Sequence, residues 1–158
     1  MIIDTPADFA AALPRNRAIA GLDLGTVTIG VAISDLSLTV ATPQETIKRT
    51  KFSADAAGLL AILTKRDIGG IVLGLPLNMD GSEGPRCQST RAFARNLERL
   101  TPLPITYWDE RLSTVAAERA LLAADTSRKR RAQVIDHVAA GYILQGLLDR
   151  LANLRART

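Results

Sequence analysis

Residues 18–34, AIAGLDLGTVTIGVAIS, constrain the possible folds of this chain more than any other stretch. Ala18–Leu24 is a run of apolar or small side chains broken by one acid, Asp23. Thr28–Ser34 is a second run, rich in β-branched residues, and only three residues separate the two. A parallel crossover needs about a dozen residues, so strands this close must pair antiparallel as a hairpin. Thr39–Arg49 supplies a candidate third strand.

The later chain changes pattern. Ser53 is positioned to cap a helix in which Leu59, Leu60 and Leu63 share a face. IVLGLP, Ile71–Pro76, is apolar on both faces and predicts a central strand covered by helices. The loop LNMDGSEGP follows, then a helix over Cys87–Leu100, a strand over Ile105–Arg111, and a helix beginning at Ser113 or Thr114. A basic break, RKRR, leads into a last helix ending near Leu154. Thr5-Pro6-Ala7-Asp8 before FAAAL reads as a short capped helix, so residues 1–17 form a small N-terminal extension to one domain over 18–158. The class is α/β: a mixed sheet with three antiparallel strands first, then parallel strands, flanked by helices.

With 158 residues, 47% hydrophobic and 23% charged, the chain is long enough for one globular core. No apolar run approaches the roughly 20 residues of a bilayer span. The acidic, non-cationic start MIIDTPAD is unlike a secretory signal. The lone Cys87 offers no internal disulfide, and a cytoplasmic home is expected. The net charge is +4, carried by 16 arginines and 4 lysines against 16 acids. Between Arg86 and Arg131 ten basic residues face five acidic ones, which suits a polyanionic partner.

Three acids stand out against this background. Asp23 closes an apolar strand at a Gly-Thr turn, the end where open α/β sheets place ligands; alone, it is equally consistent with an aspartate capping turn amides. Asp109 and Glu110 end the ITYWDE strand, where alternation gives them different faces: one towards a site, the other towards a helix cap or Arg111. Asp136 precedes Ala139, Ala140, Ile143 and Leu147 by three, four, seven and eleven residues, so it begins the buried stripe of the last helix. A first-turn acid compensating the helix dipole accounts for it as well. Three converging carboxylates would repel one another, and a hard divalent cation, Mg²⁺ or Mn²⁺, removes that penalty.

The segments GLDLGTVTIGVAISD, GGIVLGLPLNMDGSEG, YWDERLSTVAAERAL and IDHVAAGYILQGLLD occur in that order and spacing. Together they resemble the YqgF family of ribonuclease-H-like proteins, a family associated with Holliday junction resolution and pre-16S ribosomal RNA processing. The likeness runs from Ala18 to Leu151. It implies a ribonuclease-H-like fold and a metal-dependent phosphodiesterase with acidic ligands at Asp23, Glu110 and Asp136, with Asp109 as rival to Glu110. It further implies a water attacking the phosphate in line and Arg111 facing a phosphate oxygen. Amides of the loop containing Asn78 and Gly81 are candidates to guide a nucleic acid strand. One departure is visible: lysines that commonly precede the last aspartate are Ala132 and Val134 here, and Arg128, Lys129, Arg130 and Arg131 lie slightly upstream. His137 reads as a helix-surface residue. Arg91, Arg95 and Arg99 form a basic face opposite Phe93, Leu97 and Leu100, either phosphate-tracking or simply solvated.

Two rivals remain at this level. DLGT is also the phosphate-loop motif of actin- and hexokinase-like ATPases, which use two copies of such a domain, whereas this chain holds one. A non-catalytic module of ribosomal or transcription complexes would use the basic surface alone. The reading that fits most residues is a nuclease acting on precursor rRNA, with a DNA junction as the alternative substrate. It would be a monomer or weak homodimer without a membrane partner.

Overall fold

The computed structural model describes residues 1–112 and 128–157, apart from the side chains of 128–137. Six strands form one sheet: β1 (Ile2–Ile3), β2 (Ala18–Leu24), β3 (Thr28–Ser34), β4 (Ala41–Lys48), β5 (Ile68–Leu75) and β6 (Ile105–Asp109). Their spatial order is β1-β6-β5-β2-β3-β4. β2, β3 and β4 pair antiparallel, and β2–β5, β5–β6 and β1–β6 pair parallel. The hairpin and the mixed sheet therefore form as the sequence predicts. The added element is β1, too short for any periodicity, whose residues align with Ile105 and Thr106.

Helices α1 (Pro6–Ala12) and α4 (Arg128–Ala156) cover one face, and α2 (Phe52–Lys65) and α3 (Pro85–Glu98) cover the other. Alternation along β2 feeds both cores. Ala18, Ala20, Leu22 and Leu24 pack with Leu59, Leu63, Phe93 and Leu97, while Ile19 packs with Phe9, Ile143, Leu144 and Leu147. Each Leu, Ile or Phe among them contributes about 1.5–3 kcal/mol on full burial. The expected stripe of α4 is buried at Ala139, Ala140, Ile143 and Leu147, widened by Leu144, Leu148 and Leu151.

Local boundaries differ in instructive ways. Ser53 does not cap α2. Lys51 occupies the N-cap without a side-chain bond, and Asp55 in the first turn accepts from the Thr50 amide (3.0 Å) and hydroxyl (3.0 Å). Thr5 does cap α1, accepting from Asp8 N at 3.2 Å, with Pro6 in the first turn. The strand predicted over 105–111 stops at Asp109, and Glu110–Leu112 form one turn of 3₁₀ helix. A register shift between Ala18 and Ile19 is mended by Ser34, whose hydroxyl accepts from Ile19 N at 2.9 Å. The helix expected from Ser113 or Thr114 lies outside the described residues. Among the described residues no helix is long and apolar enough to cross a membrane.

Candidate active site

The carboxyl ends of the parallel strands β2, β5 and β6 share one edge of the sheet. Asp23 is the penultimate residue of β2, on the face that carries Ile19 and looks towards α4, and it is only 1% exposed. Leu22 aligns with Leu73 of β5, so Gly74 comes next to Asp23 across the ladder. Gly74 in turn aligns with Trp108 of β6.

The missing side chain of Gly74 is what makes room there. A Cβ at this position would lie 2.8 Å from Glu110 Oε1 and also against Ile143. The Glu110 carboxylate thus reaches over β5 onto the bare α-carbon beside Asp23. A glycine inside a strand pattern signals such a close approach, and this was the one local clue in IVLGLP.

Asp109 takes a different task. It accepts from the Arg111 amide at 2.9 Å, and its carboxylate forms a forked pair with the Arg111 guanidinium, Nη2 to Oδ2 at 2.7 Å. The Arg111 bond holds the Asp109 carboxyl below the usual carboxylate range. Arg111 Nη1 also donates to Met79 O at 3.4 Å, which ties the loop after β5 to the 3₁₀ turn.

That loop is shaped by its own bonds. Gly81 N donates to Asn78 O at 2.8 Å, and the Asn78 amide donates to the Ser82 hydroxyl at 3.0 Å. Gly81 has φ of +88°, where a side chain would be strained, and a Cβ there would stand 3.3 Å from Arg111 Nη1. Asn78, Gly81 and Arg111 therefore form one packed unit at the mouth of the site.

α4 brings the third acid's position to the same edge. Leu144 and the Ala140 carbonyl lie on Gly21, whereas Leu151 and Leu154 lie beside Leu13 and Pro14 near the start of β2. The helix therefore runs antiparallel to β2, and position 136, one turn before Ala140, lies further towards the carboxyl edge. The side chains of Asp136, His137 and Arg128–Arg131 are outside the described residues. Among the described residues no group of three metal-ligating side chains is present.

The sequence reading missed two arginines. Arg49 donates from Nη1 to Gly25 O at 2.7 Å and from its amide to Val27 O at 2.8 Å. Arg86 Nη2 donates to Leu24 O at 3.3 Å. Both hold the turn that follows Asp23. A groove of about 600 Å³ lies at the other end of α4, lined mostly by apolar residues together with Arg15, Arg17 and Arg155.

A buried aspartate and a glutamate on one face offer carboxylate oxygens, donors suited to a hard divalent cation. The six-stranded mixed sheet flanked by helices is a ribonuclease-H-like fold. It matches Thermus thermophilus RuvC, solved with a Holliday junction substrate, at TM-score 0.53 and 12% identity over 86% of this chain and 96% of that one. The yeast mitochondrial Holliday junction resolvase Ydc2 matches at 0.51 and 10% identity over 94% and 84%. The chain belongs to the RuvX family, described as Holliday junction resolvase, through residues 17–150. A protein of Ruegeria pomeroyi named "Putative pre-16S rRNA nuclease" is 73% identical over 98% of this chain and all of its own length. One from Paracoccus denitrificans with the same name is 74% identical over 96% of each.

Proposed function

We propose that this chain is a divalent-metal-dependent nuclease that hydrolyses phosphodiester bonds in maturing the 5′ end of pre-16S rRNA. The observation that carries the reading is the Glu110 carboxylate seated on Gly74 beside the buried Asp23, at the carboxyl edge of three parallel strands. The relatives' shared name supports the RNA substrate.

In this reading Asp23, Glu110 and Asp136 hold Mg²⁺ or Mn²⁺. When bound, the cation lowers the pKa of a water and offsets the charge that develops on the phosphate. The chain's own work is positional. The Gly74 gap sets the separation of two carboxylates, and Arg111 fixes the 3₁₀ turn that aims Glu110. Arg128, Lys129, Arg130 and Arg131, with the loop of Asn78 and Gly81, steer the phosphate backbone into place. The protein acts in the cytoplasm, as a monomer or weak homodimer. The family's description favours one second reading, cleavage of four-way DNA junctions.

One side-by-side assay decides. Purified protein with Mn²⁺ or Mg²⁺ is incubated with a pre-16S rRNA fragment, single strands and a four-way junction, against an EDTA control. Shortening of the rRNA precursor that EDTA abolishes is the expected result. Symmetric nicking of the junction with an intact precursor would transfer the reading to DNA, and no cleavage of any substrate would remove it.

A further inference from the structure

We infer that Arg49 and Arg86 form a phosphate subsite on the Asp23 side of the candidate active site. The inference deepens the nuclease reading and rests on it for the location of the reacting phosphate. Arg49 follows β4 and Arg86 opens α3, yet both reach the same short turn, Leu24–Val27. They donate to consecutive carbonyls, Leu24 O at 3.3 Å and Gly25 O at 2.7 Å. Successive carbonyls of an extended chain point to opposite sides, so the two guanidiniums bracket the turn rather than stack on one side of it.

Their partners distinguish them from other arginines nearby. Arg91 is forked onto Glu83 at 2.6 and 2.9 Å, Arg111 onto Asp109, and Arg17 pairs with Asp67 at 3.0 Å. Arg49 and Arg86 have no ion pair among the described residues. A carbonyl orients a guanidinium without neutralising it, and one bond leaves most of its five donors available. The result is two pre-aimed positive charges on the carbonyls of the first and second residues after Asp23. A non-bridging phosphate oxygen is the ligand that suits such a fork.

The occupant is the backbone of the nucleic acid, and the contact carries no base preference. The subsite is tested by measuring binding of a fluorescein-labelled single-stranded oligoribonucleotide in EDTA across a salt series. Wild type is compared with R49Q/R86Q and R49K/R86K, and Mn²⁺ affinity and Tm are recorded for each. The slope of log affinity against log salt should be shallower by about 1.4 in the double Gln variant, at about 0.7 per phosphate contact on single strands. The Lys variant should retain most of the slope because it keeps the charge. In cleavage assays the Gln variant should raise KM several-fold, and the Lys variant should raise it much less. An unchanged slope in R49Q/R86Q overturns the subsite. So does a loss of Mn²⁺ affinity and Tm shared equally by the Gln and Lys variants, which would make both residues braces of the turn alone. If wild type cuts nothing, the nuclease reading falls while the salt slope still decides the subsite.

Discussion

Gly74→Ala tests the geometry of the site through a single methyl group. The new Cβ would press hardest on Ile143 Cδ1, the end of a flexible side chain, and would stand 2.8 Å from Glu110 Oε1. Ordinary contact begins near 3.4 Å, so the carboxylate oxygen must retreat by about 0.6 Å from its 2.8 Å position. Overpacking a core costs about 1–3 kcal/mol, offset by the 0.5–1 kcal/mol that a strand glycine gives away relative to alanine. For a chain of this size each 1 kcal/mol lowers Tm by about 2–4 °C, so a fall of at most about 10 °C is expected. Activity should drop further than stability. A 1 Å misplacement costs about a hundredfold, so about 0.6 Å corresponds to roughly tenfold in kcat. Gly69→Ala is the control, because its Cβ would strike Arg17 Cβ at 2.8 Å at the opposite end of the same strand, away from Asp23 and Glu110. Cleavage of the rRNA fragment, assayed well below each Tm, should be slowed in Gly74→Ala and normal in Gly69→Ala. Wild-type kcat in Gly74→Ala, or equal loss in both variants, would refute the placement of Glu110.

Asp23→Asn, Glu110→Gln and Asp136→Asn should each abolish metal-dependent cleavage with the fold retained by circular dichroism, and full activity in any one removes that residue from the site. Asp109→Asn should remain active. Arg111→Gln should raise the Asp109 pKa towards its ordinary 3.8, read by NMR titration, because the Arg111 hydrogen bond is what depresses it. Since the folded-state value is the lower one, the ion pair's contribution is complete above the ordinary carboxylate range and fades as pH falls through the folded value. Ser34→Ala leaves the Ile19 amide without its 2.9 Å acceptor, and a loss of about 1–3 kcal/mol in urea unfolding is expected. Neutralising Arg128, Lys129, Arg130 and Arg131 together should flatten the salt dependence of RNA binding without altering sequence preference, and an unchanged slope would assign the cluster to solvent.

What the sequence disclosed was whatever local periodicity encodes. The β2–β3 hairpin follows from a three-residue gap, β5 from apolar faces on both sides, and the α4 stripe from spacings of three and four. Two residues of β1 carry no period, and their pairing with Ile105 and Thr106 is set by tertiary contact. The choice between Asp109 and Glu110 could not be made from strand alternation, because the strand ends between them and a 3₁₀ turn re-aims the second acid. Arg49 and Arg86 were invisible for a related reason. Their carbonyl acceptors lie 24 and 62 residues away in sequence.

The way α4 lies on the sheet also bears on biosynthesis. Ala139, Ala140, Ile143, Leu144, Leu147, Leu148 and Leu151 of this helix close one face of the sheet together with Phe9 of α1. A nascent chain that has emerged only through β6 can complete its strand pairing and the α2–α3 core, but it lacks most of the cover over Ala32, Val72 and Trp108. Such a half-covered sheet is sticky, so a truncated product would be prone to aggregate. Protection from aggregation therefore arrives when the last helix docks, and on the proposed reading Asp136 joins the site in the same step.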